Sequence, residues 1–236
     1  MTFVEAAYGL SAALANVVGA VAITSGRRWS VRALDRMLSF AAGFLLSVAF
    51  VDLFPEALAR TGSSAAIAAL IAYLLVHLTQ HTFGRHFHFG EETHSITRSV
   101  STSALLGLLL HTFVDGVAVA SGLLVSGTVG TLVFVGVLLH KFPEGLAISS
   151  MFLAAGASRG QAIAAAGALG VATIFGVLLT DHFVTLQGYG LAISAGVTIY
   201  VGASNLVPEL QARGGWETPF TLLAGSAAYF ATRALL

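Results

Sequence analysis

The chain has 236 residues, of which 56% are hydrophobic and 9% are charged, whereas an average globular protein is about 25% charged. Its mean hydropathy is +0.87. A soluble globule of this size has too small an interior to bury that many apolar side chains. The composition therefore excludes a soluble protein and predicts one embedded in a membrane. Eleven basic and eleven acidic residues cancel, and no cysteine is present. A metal site would accordingly use histidine, carboxylate or hydroxyl ligands.

Long apolar runs account for nearly the whole chain. A helix needs about 20 apolar residues to cross a bilayer, and the first run is too long for a signal-peptide core and lacks a basic region before it. We predict eight spans, at residues 3–25, 36–58, 64–84, 98–122, 128–152, 161–184, 189–209 and 217–235. The predicted fold is an all-α polytopic membrane protein with one transmembrane domain over residues 1–236 and a histidine-containing loop at 85–97.

Arginine is distributed unevenly between the two sides of this arrangement. The loops after spans 1, 3, 5 and 7 carry Arg27, Arg28, Arg32, Arg36, Arg85, Arg98, Arg159 and Arg213. The opposite side carries Arg60 and Arg233. Because positively charged loops stay in the cytoplasm, the sequence predicts a multi-pass protein of the cell membrane, inner or plasma, with both termini outside and the loop 85–97 in the cytoplasm.

Spans 2 and 7 resemble each other. Residues 42–58 align without a gap on residues 195–211, where an alanine, two further small or branched residues, a leucine and a Pro-Glu pair repeat and Asn205 stands opposite Asp52. Since the two spans run in opposite directions, the duplication is inverted. Many secondary transporters use such inverted repeats to place one central site between two gates.

Spans 4 and 5 carry a second pair of related segments. His111-Thr-Phe-Val-Asp115-Gly-Val-Ala in span 4 matches His140-Lys-Phe-Pro-Glu144-Gly-Leu-Ala in span 5. Residues at i and i+4 share a helical face, and a hairpin that turns near residues 126–127 brings both pairs to one depth. Two imidazoles and two carboxylates suit tetrahedral Zn²⁺ or part of an octahedron around Mn²⁺ or Fe²⁺. Ionisable groups inside a span indicate a functional site.

Residues beside these four ligands favour an open backbone and close packing. Pro143 removes the N–H bond to the carbonyl of Leu139 and frees an oxygen beside His140. Small residues follow each acid, and we expect them to let spans 4 and 5 approach each other closely. These small residues are Gly116, Ala118, Gly145 and Ala147.

The two motifs resemble the signature of the ZIP family, the Zrt- and Irt-like divalent-metal transporters. The resemblance implies eight spans with both termini outside, a histidine-bearing cytoplasmic loop after the third, and inverted repeats in which spans 1–3 pair with spans 6–8 around spans 4 and 5. It also implies a homodimer, and uptake of zinc through a site built by His111, Asp115, His140 and Glu144. Zn²⁺ is then the substrate. Two histidines and two acids also admit Fe²⁺, Mn²⁺, Cd²⁺ and Co²⁺, and no organic cofactor is expected.

Three positions depart from the pattern of those relatives that hold two metal ions. Such relatives generally carry asparagine after the fourth-span histidine, an acid or amide after the fifth-span histidine, and a glutamate in span 6. Here these positions are Thr112, Lys141 and Thr173. The Lys141 ammonium, at i, i+3 from Glu144, can take the place of a second cation. We therefore predict a site for one metal ion.

Polar residues outside the motifs have two interpretations each. Asp52 with Glu56 and Asn205 with Glu209 form i, i+4 pairs at span ends. They either cap helices beside prolines or attract cations at the outer and inner mouths. Five histidines lie along the end of span 3 and the following loop. They either form a loop that receives or senses metal ions, or they belong to a solvated interface segment. They are His77, His81, His86, His88 and His94.

Three function classes fit these features, and a divalent-metal transporter that works by alternating access is favoured. The chain lacks a GxxxxGK[ST] motif for ATP, and a divalent ion gains about 4.6 kcal/mol per 100 mV on entering a negative cytoplasm. An intramembrane metal-dependent hydrolase is the second class, but no HExxH motif is present, so we do not expect an enzyme. A membrane metal sensor is the third, and only a flux measurement separates it from a transporter.

Overall fold

The computed structural model describes residues 2–25, 30–83, 98–208 and 216–236, and within these ranges the chain contains helices and turns but no strand. The helices are α1 (Phe3–Thr24), α2 (Val31–Val48), α3 (Phe54–Thr61), α4 (Ser63–Phe83), α5 (Arg98–Val125), α6 (Gly127–Ala154), α7 (Arg159–His182), α8 (Val184–Ile199) and α9 (Glu217–Leu235). A first π-helical segment, Ala49–Leu53, joins α2 to α3. A second one, Tyr200–Leu206, continues α8.

Several of these helices can cross a bilayer, which confirms the prediction of a helical membrane protein. Stretches that are long and apolar enough are Phe3–Thr24, Arg32–Thr61, Arg98–Val125, Gly127–Ala154 and Arg159–Thr180. With the π-helical segments counted as continuations, the described helices form eight rods in the order of the predicted spans. The bounds differ where charged residues join a helix, as in the second rod, which begins at Val31 rather than at residue 36. There the helix starts at its cap, Ser30, and not where hydropathy rises.

The turn between α5 and α6 is tight and lies where the sequence predicts it. The Ser126 side chain accepts a hydrogen bond from the backbone N–H of Val129 at 3.1 Å and thereby caps the start of α6. Because this one residue separates the two helices, α5 and α6 form an antiparallel hairpin with a fixed register. That register sets which residues of the two motifs lie at the same depth.

Glycines bring α5 and α6 against two outer helices. A Cβ at Gly116 would lie 2.0 Å from the carbonyl oxygen of Thr173 in α7, and one at Gly145 would lie 2.0 Å from that of Asn16 in α1. The expectation that these two glycines let α5 and α6 approach each other closely is therefore wrong, because each packs against an outer helix instead. A residue that directly follows a ligand is turned about 100° away from it, so the ligands face the partner helix and the glycines face α7 and α1.

Two further pairs of helices pack through glycine in the same way. A Cβ at Gly43 in α2 would lie 2.0 Å from the carbonyl oxygen of Leu222 in α9. One at Gly196 in α8 would lie 2.1 Å from the carbonyl oxygen of Ala69 in α4. Such close backbone contacts replace the hydrophobic effect as the source of helix association in lipid. They hold α2 to α9 and α8 to α4 around the central hairpin.

Replacing Gly43 by alanine tests this packing. The added Cβ must push α2 and α9 apart, so we expect Gly43→Ala to lower the free energy of unfolding by about 1–3 kcal/mol. Gly167→Ala is the matched control, because that helical glycine has open space where a Cβ would stand and alanine is the better helix former. Thermal unfolding of the purified protein in detergent, followed by circular dichroism, compares the two. Equal midpoints would contradict the assignment of the α2–α9 contact.

Candidate metal centre

The hairpin of α5 and α6 brings the four motif residues together. His111 and Asp115 of α5 and His140 and Glu144 of α6 each offer one ligand atom, and these atoms all lie within 4.8 Å of one another. All four residues are buried. The two i, i+4 pairs thus meet as the sequence predicts, and they do so inside the helix bundle rather than at its surface.

Asp115 stands at the centre of the cluster. Its Oδ2 atom lies 3.4 Å from Nε2 of His111 and 3.2 Å from Nε2 of His140. The same oxygen accepts a hydrogen bond from Nζ of Lys141 at 2.6 Å. One carboxylate oxygen therefore contacts three nitrogen atoms. Any cation that binds Asp115 either shares this carboxylate with Lys141 or displaces the lysine.

The orientation of His140 suits a metal ligand. Its Nδ1 atom lies 3.0 Å from the carbonyl oxygen of Gly136, and because a carbonyl oxygen can only accept, Nδ1 must donate. In the neutral ring the lone pair is then on Nε2, the atom that faces Asp115. A backbone carbonyl that fixes the tautomer in this way is the usual outer support of a metal-binding histidine.

Lys141 supplies the positive charge of the cluster. Its side chain is fully buried, and Nζ donates to Glu144 Oε2 at 2.8 Å as well as to Asp115. Buried charges must be paired and hydrogen-bonded to be tolerated. The ammonium thus lies between the two carboxylates, which is the position that the sequence assigns to a substitute for a second cation.

The other two positions that depart from the two-metal pattern add no ligand within the described part of the chain. Thr112 and Thr173 are both buried, and each hydroxyl donates to a carbonyl of its own helix, at Leu109 and Leu169 respectively. Thr173 lies in α7, where its carbonyl oxygen packs against Gly116. Because Gly116 directly follows Asp115, this contact makes α7 a wall of the cluster.

The acidic pair at the start of α3 does not act as a pair. Asp52, in the first π-helical segment, is buried and accepts a hydrogen bond from the Tyr229 hydroxyl at 2.5 Å. Its Oδ1 atom lies 3.3 Å from a guanidinium nitrogen of Arg233. Glu56 instead binds Arg60 at 2.8 Å. One signal for these α9 partners is present in the sequence, although the predictions above do not use it: Tyr229 and Arg233 stand at i, i+4 spacing in an apolar helix.

Other predicted sites fall partly or wholly outside the described residues. The side chain of Asn205, the side chain of His81, the residue Glu209 and the loop histidines at 86, 88 and 94 belong to that group. His77 lies in α4, where its ring packs edge-on against Tyr200 with centroids 5.8 Å apart. The metal-receiving loop and the inner-mouth pair therefore stay predictions.

Fold and cluster together define a class: a helical membrane protein whose interior holds a candidate site for a divalent cation. The sequence profile of the ZIP zinc transporter family matches residues 76–232, which include both motif helices. The chain belongs to the ZIP zinc transporter family, whose members transport divalent metals. A comparison with curated proteins finds no significant match.

Removing the lysine charge tests the electrostatics of the cluster. Lys141→Met leaves Asp115 and Glu144 buried without their ammonium, so we expect the free energy of unfolding to fall by about 3–5 kcal/mol. Zn²⁺ should restore much of the lost stability, because a divalent cation neutralises the same carboxylates. Thermal unfolding with and without Zn²⁺ measures both effects.

Arg36→Met provides the control for that variant. It breaks the pair between Arg36 and Glu217, whose atoms are 2.7 Å apart but whose side chains are 52% and 36% exposed. Exposed pairs contribute about 1 kcal/mol or less, so this change should have a small effect that Zn²⁺ does not reverse. A Lys141→Met protein as stable as the control would show that the ammonium does not neutralise the carboxylates.

Proposed function

We propose that the protein carries zinc, or a similar divalent metal ion, into the cytoplasm by alternating access through the His111, Asp115, His140 and Glu144 cluster. One observation carries the proposal: in a chain of the ZIP family, four buried ligand atoms from two helices converge within 4.8 Å. The ion sheds most of its water and receives two imidazole nitrogens and two carboxylate oxygens instead. Binding without transport, as in a sensor, is the alternative that the flux experiment below separates from this one.

Charge balance supports a site for one ion at a time. Asp115 and Glu144 carry two negative charges and Lys141 carries one positive charge, so the cluster sums to −1 with both imidazoles neutral. A single divalent ion changes this sum to +1, whereas a second would give +3 in a buried environment. The lysine contacts both carboxylates and leaves less room for a second cation between them.

Packing around the hairpin supports the inverted repeat. In the alignment of residues 42–58 with 195–211, the first π-helical segment coincides with the last five residues of the second. Gly43 aligns with Gly196, and each brings its helix against the backbone of a neighbour, α9 in one case and α4 in the other. Gly145 against α1 and Gly116 against α7 form a similar matched pair. When the two repeats are exchanged, the contact of α2 with α9 takes the place of the contact of α8 with α4. The contact of α6 with α1 likewise takes the place of the contact of α5 with α7.

The contacts also indicate which helices shift together. Backbone-close contacts join α1, α5, α6 and α7 into one group, and they join α2 to α9 and α8 to α4 as two separate pairs. Between the first group and these pairs the closest approaches to glycine are through side chains, such as Leu45 at Gly136 and Ser121 at Gly190. Side-chain contacts slide and repack more easily than fitted backbones, so we propose that the ion site moves with the first group when access alternates.

The remaining predictions extend this proposal. The arginine distribution supports both termini outside and the loop 85–97, with its histidines, receiving the ion in the cytoplasm. Asp52 and Glu56 would attract cations at the outer mouth, where an ion competes with Arg233 for Asp52, and Asn205 and Glu209 would do so at the inner mouth. The family resemblance supports a homodimer, and the ion gradient with the membrane potential supplies the energy.

Flux into proteoliposomes tests transport. We expect saturable Zn²⁺ uptake, and a loss of about 100-fold or more in Glu144→Gln, because the variant removes a charged ligand. Glu217→Gln is the control, since this glutamate is bound to Arg36 outside the cluster. Competition by Fe²⁺, Mn²⁺, Cd²⁺ and Co²⁺ ranks the substrates. Stoichiometric Zn²⁺ binding without flux under any gradient would favour a sensor and contradict the proposal.

Metal content tests the one-ion site. The purified protein, equilibrated with Zn²⁺ and freed of excess, should contain one ion per protomer by elemental analysis, and His140→Ala should contain none. Two ions per protomer within about 4 Å of each other, the usual separation in two-metal sites, would contradict the role given to Lys141.

A further inference from the structure

Asn16 is a buried amide in the middle of α1. Its side chain is 0% exposed, and it lies on a buried stripe whose other nearby members are glycine and alanine: Gly9, Ala12, Gly19 and Ala20. Among the described residues, neither Nδ2 nor Oδ1 of Asn16 has a hydrogen-bond partner. An unsatisfied amide inside a membrane bundle is costly, so this one calls for a function.

The position of Asn16 is level with the ion cluster. A Cβ at Gly145 would lie 2.0 Å from the Asn16 carbonyl oxygen and 2.7 Å from its Cα. One helical turn further along α1, Gly19 rests on the carbonyl oxygen of Phe142 in the same way. The two helices therefore cross between Asn16 and Gly19, where α6 carries Gly145 directly after Glu144 in the chain. α1 is the third helix at the depth of the site.

Glu144 offers a complementary atom. Its Oε2 accepts from Lys141, but its Oε1 is buried and has no hydrogen-bond partner within the described ranges. Asn16 has a free donor in Nδ2 and a free acceptor in Oδ1. A donor suits Glu144 Oε1, and an amide oxygen is a good ligand for hard divalent cations. Both unsatisfied groups are accounted for if an ion binds between these side chains.

We propose that Asn16 supplies an amide oxygen to the bound divalent cation from α1, while its Nδ2 donates to Glu144. The inference rests on the proposed function of the four-residue cluster and extends it. Asn16 raises the donor set from four atoms to five and adds an oxygen. This favours ions that accept five or six ligands, such as Mn²⁺ and Co²⁺, relative to a purely tetrahedral Zn²⁺ site.

Cobalt provides a test that does not depend on transport. Co²⁺ absorbs visible light strongly in four-coordinate sites and weakly in sites of higher coordination. In purified protein titrated with Co²⁺, Asn16→Ala should raise Kd about 10- to 100-fold and intensify the visible bands as one ligand is lost. Ser121→Ala is the matched control, because this hydroxyl of α5 is also buried and unpartnered among described residues but faces Gly190 of α8. It should change neither quantity.

The variants separate a failure of the Asn16 proposal from a failure of the proposed four-residue cluster. If His140→Ala removes the Co²⁺ bands but Asn16→Ala leaves Kd and spectrum unchanged, the role of Asn16 is overturned and the cluster stands. If His140→Ala leaves the bands intact, the proposed cluster fails. Asn16→Asp keeps an oxygen at the same place and guards against a misfolded alanine variant. It should retain Co²⁺ binding and the weak spectrum, and intense four-coordinate bands in a folded Asn16→Asp protein would overturn the inference.

Discussion

The rest of the structure depends on one interaction, in which two buried carboxylates share a single lysine ammonium. Asp115 and Glu144 are buried inside a membrane bundle, and Lys141 pairs with both of them, since its Nζ lies 2.6 and 2.8 Å from their oxygens. Because the lysine and Glu144 lie on α6 and Asp115 on α5, the same contacts tie the two helices together. The charges that equip the site for a cation also fix the hairpin that carries it.

Surrounding helices position this hairpin through shape rather than polarity. Gly116 and Gly145 each follow an acid of the cluster and let a neighbouring backbone approach to a distance that no side chain would allow. The site is consequently enclosed by α1 and α7 at the level of the ligands. In the proposal above, Asn16 reaches the ion from the α1 wall, whereas the Thr173 hydroxyl on the α7 wall donates to its own helix.

Much of this arrangement follows from the sequence, and the missing parts share one physical cause. Run lengths predict the helices, and the i, i+4 spacing of His111 with Asp115 and of His140 with Glu144 predicts the cluster, because both are local properties of one helix or hairpin. The partners of Gly116, Gly145 and Asp52 depend on how distant helices are arranged, which hydropathy does not encode. Asn16 was missed for the same reason: a lone amide in an apolar span is ambiguous until its neighbours are known.

The position of Lys141 has a consequence for the electrical behaviour of the proposed cycle. With neutral imidazoles the cluster carries +1 when it holds a divalent ion and −1 when it holds none, so the two states have opposite signs. A negative cytoplasm therefore pulls the loaded site inward and pushes the empty site outward. Without the lysine the loaded site would be neutral and only the return step would respond to voltage. A single buried side chain thus divides the driving force of the membrane potential between both halves of the cycle.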